Sequence, residues 1–123
     1  MSPEGKLPAG REQGMVLLRE ASDQDLLEAV IRQVNKDFQL CGIDCEISTE
    51  ETPEQLIAQL GQVLKALIRD DFRGFLNLLY RVDISESEIS QGDSRDLDAF
   101  VNEATYRLLK REWQKVWLRN RIR

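Results

Sequence analysis

From Leu26 to Trp117 the apolar residues recur three or four positions apart through successive stretches, the spacing that lines one face of an α-helix. The alternating run Ile43, Cys45, Ile47 is too short to build a sheet and finds no second strand, so it reads as an extended connector. What remains is a chain that must bury several helical stripes against one another. Its 123 residues suit one domain with one core. The predicted class is all-α, a bundle of four to five helices over residues 15–123 with a long C-terminal helix. Residues 1–14, with Pro3, Pro8, Gly5, Gly10 and Gly14, are predicted to be a flexible N-terminal arm.

Local signals place the ends of these helices. Ser22, with Asp25 three residues on, is expected to open the first, whose stripe is Leu26, Leu27, Val30, Ile31, Val34, Phe38 and Cys41. Gly42 is placed to close it in a left-handed conformation, and Met15 to Leu18 supply either an extra turn or an extended lead-in. Thr52-Pro53-Glu54-Gln55 is the strongest signal: Thr at the N-cap, Pro at the first helical position, and Gln reaching back to the cap. The second stripe follows as Leu56, Ile57, Leu60, Val63, Leu64, Leu67 and Ile68. Asp71 reads as a new N-cap that kinks the chain into Phe72, Phe75, Leu76, Leu79 and Val82.

Gly61 and Gly74 lie inside these patterns and read as points of close helix packing. Residues 83–92 form a polar connector in which Ser85 and Glu88 can cap a single turn. Asp93 or Ser94 is expected to start the last helix, which runs to about Asn120. Midway along it the apolar face rotates from Leu97, Phe100, Val101, Ala104 and Leu108 to Leu109, Trp113, Val116 and Trp117. Either this helix outgrows its bundle or a second element covers its far side.

Little in the chain supports catalysis. It contains no histidine, which removes Ser-His and Cys-His nucleophiles and leaves Cys41 and Cys45 without the partners a zinc site needs. The two thiols read as small, partly buried hydrophobes. The acidic groups near helix starts suit the helix dipole and solvent, and neither glycine-rich phosphate motif occurs. No enzyme, metal or cofactor is expected. An enzyme reading ranks third and rests on a carboxylate pocket built from Asp70, Asp71 and Asp83. No run approaches the roughly 18 apolar residues that span a bilayer, and no hydrophobic segment follows a basic start, so a cytoplasmic protein is expected.

Charge is the feature that points to a partner. Residues 107–123 carry seven basic side chains against one acid, Glu112, a net of +6, whereas residues 1–106 carry ten Lys/Arg against twenty-one Asp/Glu, a net of −11. The preferred reading makes Leu109, Trp113, Val116 and Trp117 an interface, so that the chain is a non-catalytic interaction or assembly module, a homodimer or the partner of another protein. The alternative is nucleic-acid binding through Arg111, Lys115, Arg119, Arg121 and Arg123, which the acidic remainder opposes. An interfacial membrane helix is weaker still, because its apolar face is short.

The stretch from Phe75 to Asp83 (FLNLLYRVD), the acidic connector after it, and the closing Lys110-Arg111-Glu112 and Leu118-Arg119-Asn120-Arg121 resemble a small bacterial family of uncharacterised helical proteins. The resemblance covers roughly the C-terminal half. It implies a bacterial, cytoplasmic, helical protein, and no catalytic motif comes with it.

Overall fold

The computed structural model describes residues 10–89 and 96–122. Among these, six helices and no strand are present: α1 Arg11–Asp23, α2 Leu27–Leu40, α3 Pro53–Asp70, α4 Phe72–Val82, α5 Glu86–Ile89 and α6 Leu97–Ile122. The all-α class and the long C-terminal helix are as the periodicity predicts, and α5 is the single turn expected beside Ser85. Its start is closed by the Glu88 carboxylate, which accepts from the Ser85 backbone N–H at 3.0 Å.

The 26-residue α6 is the axis, and α1 to α5 all pack on it. Its two apolar stripes therefore face different neighbours: Val101, Ala104 and Leu108 are buried, and so are Leu109, Trp113 and Val116. A helix covered on several sides has no single wet face, which is why its apolar residues wander around it. Of the two explanations for the rotating face, coverage by a second element is the one realised.

The first helix differs from expectation. Residues 11–14, assigned to the arm, are helical, and Ser22 lies in the last turn of α1 instead of opening a helix. Met15, Leu18 and Ala21, three apart, form a short buried stripe, with Gly14 packed beside Ile57 and Leu109. Gly10, which caps α1 against Asn102, and Gly14 are thus sites where α1 lies close to its neighbours. Residues 1–9 of the expected arm lie outside the described residues, as do Asp93 and Ser94. Within the described part, Asp96 fills the cap position of α6, accepting from the Ala99 N–H at 3.2 Å.

Three helices end in the same way, with the chain reversing through one left-handed residue. Ile43 N–H donates to Phe38 O at 2.9 Å and Gly42 N–H to Gln39 O at 3.1 Å, with Gly42 at φ 75, as predicted for α2. Asp25 at φ 59 ends α1 and Asp83 at φ 68 ends α4 with the same pair of bonds. Aspartate tolerates this region better than most side chains, so these ends give no glycine signal.

The Thr52–Gln55 capping box forms as predicted. Asp71 accepts from the Gly74 N–H at 3.0 Å and caps α4. A Cβ on Gly74 would stand 2.5 Å from that carboxylate, so Gly74 makes room for its own cap and not for a neighbouring helix. Between α2 and α3 the connector is extended. The Asn35 side chain holds it at both backbone groups of buried Ile47, donating to its C=O and accepting from its N–H, each at 2.8 Å.

Asn35→Ala leaves both Ile47 groups without a partner and is expected to lower stability by about 1–3 kcal/mol. Asp25→Gly relieves the left-handed strain and is expected to raise it by about 0.5 kcal/mol, the relief less glycine's entropy in the unfolded chain. Urea denaturation of the two variants measures both signs.

Candidate functional site

Where α2 crosses α6, two carboxyl groups are buried. Asp37 follows Val34 by three residues and Glu112 follows Leu108 by four, so each stands on the inward stripe of its helix; their exposures are 1% and 0%. Three elements supply the surroundings. From α6, Lys115 Nζ lies 3.2 Å from Asp37 Oδ2 and 3.4 Å from Glu112 Oε1. From α4, Arg81 Nε lies 3.4 Å from Asp37 Oδ1. From α2 itself, Gln33 donates to Asp37 Oδ2 at 3.3 Å, and Arg119 donates to Gln33 Oε1 at 3.0 Å.

These contacts separate the two acids. Burial pushes the Asp37 pKa up, but hydrogen bonds from Glu112, Gln33 and Lys115, with the ammonium charge, outweigh it and hold the carboxyl below its usual range. Glu112 moves the other way. Burial raises it first, the hydrogen bond to Asp37 and the charge of Asp37 raise it further, and Lys115 opposes them, so its pKa is pushed up to about 9. The geometry agrees. As a carboxylate, Glu112 would have both oxygens buried with no aligned donor, since Lys115 approaches Oε1 without hydrogen-bonding alignment. As a carboxylic acid it has a proton to donate to Asp37. Burial and the missing donors thus favour a neutral Glu112 beside an ionised Asp37, with the two acids on different helices.

Neither residue stood out in the sequence. Glu112 reads as the lone acid of a basic run and Asp37 as one of many acids. The available signal is register, because each falls three or four residues from a buried aliphatic residue on its own stripe.

The residues singled out from sequence are placed differently. Leu109 and Val116 are in the core, Trp113 is buried, and Trp117 is half-buried, so the apolar face expected to meet a partner is largely covered by this chain's own body. The cations have partners within the chain as well. Arg111 donates to Val82 O at 3.2 Å and reaches Asp83 at 3.3 Å, Lys115 serves the carboxyl pair, Arg119 holds Gln33, and Arg121 stacks 4.8 Å over the Trp117 ring. Arg123 lies outside the described residues. Asp71 and Asp83 cap opposite ends of α4 and Asp70 is exposed at the end of α3, so these three form no common pocket. Cys41 and Cys45 are half-buried free thiols whose pKa values burial raises.

A groove of about 720 Å³ lies open between α1 and α6, lined by Val16, Leu17, Tyr106, Trp113, Trp117 and Leu118 among others. Val16 is 61% exposed and Leu118 51%. Glu20 lies on its α1 wall, and Lys110 and Arg111 on its α6 wall.

The two carboxyls give stability a defined pH dependence. Between the ordinary glutamate value and about 9 the native chain holds a Glu112 proton that the unfolded chain has released, so stability falls as pH rises. One group contributes at most about 1.4 kcal/mol per pH unit. Asp37 acts oppositely: its contribution is complete above the ordinary aspartate range and is lost as pH falls through its lowered folded value. Maximum stability is expected in mild acid. Glu112→Gln, an uncharged copy of the protonated side chain, should flatten the alkaline limb and be more stable than wild type at about pH 8, as read by urea denaturation across pH.

No family model, curated protein or solved structure matches the chain.

Proposed function

We propose that the protein is a non-catalytic helical interaction module that pairs with a second copy of itself through the α1–α6 groove. The observation that carries this reading is the exposure of Val16 and Leu118 on either wall of one continuous apolar cleft, with Leu17 and Trp117 half-buried between them. Large aliphatic side chains gathered in a groove, in contrast to scattered ones, mark a surface that gains by being covered.

A second copy suits the groove because its charges are complementary to themselves. α1 and α6 run in the same direction, Gly10 lying against Asn102 and Gly14 against Leu109. Glu20 therefore stands toward the Trp117 end and Lys110 toward the Tyr106 end. A two-fold axis across the groove brings Glu20 of one copy toward Lys110 of the other. The reading takes the chain to be bacterial and cytoplasmic, in keeping with the resemblance of its C-terminal half. It displaces nucleic-acid binding to second place, because Arg111, Lys115, Arg119 and Arg121 already have partners within the chain.

Sedimentation equilibrium tests it. Wild type should dimerise at micromolar concentration, and Val16→Glu or Leu118→Glu should raise the dissociation constant at least about tenfold, roughly 1.4 kcal/mol, without changing the melting temperature. A wild-type chain that stays monomeric at high micromolar concentration refutes the pairing. Variants that pair as well as wild type place it elsewhere on the surface.

A further inference from the structure

We propose that the α2–α6 seam is a proton-operated latch: the Glu112 carboxyl, buried with Asp37 around the Lys115 ammonium, stays protonated while α2 lies on α6, and parting the helices releases that proton to water. The seam is asymmetric in a way the rest of the core is not. α1 offers Met15, Leu18 and Ala21 to the interior, and α3 offers Leu56, Ile57, Leu60 and Leu64, all apolar. α2 offers Val30, Ile31, Val34 and Phe38 but adds Asp37 and Gln33.

Closing this seam buries two acids beside one ammonium at 3.2 and 3.4 Å and one guanidinium at 3.4 Å. Glu112 is wholly buried with no aligned donor on either oxygen, so its carboxylate would be desolvated without compensation and the group is held protonated while the helices touch. Once α2 lifts, water reaches Glu112, its proton leaves to the solvent, and its carboxylate is hydrated. Closing requires the proton to return.

The charged and titratable groups facing the pair are few. α2 supplies Asp37 and, at its end, the Cys41 thiol, which senses the charges of both Asp37 and Arg81. α4 supplies Arg81, and α6 supplies Lys115, with Arg119 acting through Gln33. The Cys41 thiol is pushed further above the neutral range by burial and the nearby Asp37. Glu112 is thus the group whose proton count changes on opening. Because one proton is released per opening, the opened fraction of α2 rises up to about tenfold per pH unit.

Amide hydrogen exchange resolved along the chain, corrected for the intrinsic pH dependence of exchange, tests the latch between about pH 6 and about pH 8. Opening of α2 should rise with pH, by up to about tenfold per unit, while α1 and α3 open less often and without that slope. In Glu112→Gln the slope should vanish. An α2 opening constant independent of pH, or the same slope retained in the variant, overturns the proposal. So does a rise shared equally by α1, α2 and α3, because the proton would then be lost only when the whole chain unfolds. Infrared spectroscopy of the wild type needs no variant: the closed protein must show a protonated carboxyl stretch at neutral pH, and its absence refutes the latch.

Discussion

Everything in this fold depends on the enclosure of α6. A helix of 26 residues with apolar side chains on two faces cannot lie on a surface, and the other helices are arranged around it so that both faces are covered. Phe75 and Phe100 meet at 6.0 Å where α4 approaches it, and Gly14 lets α1 come close at Leu109. The consequence for charge is equally direct. The basic half of α6 lies among acidic helices, and its cations find Asp37 and Asp83 on the elements that enclose it.

Enclosure also explains the buried acids. Lys115 on α6 is brought to α2 by packing, and Asp37 meets it there, but Glu112 shares the same stripe and is carried into the same site. Its desolvation is tolerable only in the neutral form. The α2–α6 seam therefore contains a polar joint fixed by charge and hydrogen bonds, whereas the inward stripes of α1 and α3 are apolar and permissive.

Features that depend on neighbours in sequence were legible. The Thr52–Gln55 box, the left-handed Gly42 and the Asp71 cap each involve residues within five positions, and all three form. Features that depend on contacts across the chain were not. α1 has a stripe of only three buried apolar side chains, so its first residues read as an arm and Met15 to Leu18 as an extra turn or lead-in until Ile57 and Leu109 are seen beside Gly14. The Trp113 face looked unoccupied because nothing in the sequence says that α1 covers it. The pairing of Asp37 with Glu112 is a meeting of distant segments, visible beforehand only as two acids in register with aliphatic stripes.

The position of α6 at the end of the helix order has a further consequence, for the sequence of events in folding. While the chain is being synthesised, α1 to α5 emerge before the helix on which they pack. Until Leu108, Leu109 and Val116 appear, Met15, Leu18 and Phe38 have no axis to close on, and the emerging segment, with its net of −11, also repels itself. Contacts between the first and last helices must then span nearly the whole described chain, which makes closure a late and cooperative step. The helix order thus predicts that the acidic helices reach their final packing only when their basic axis arrives.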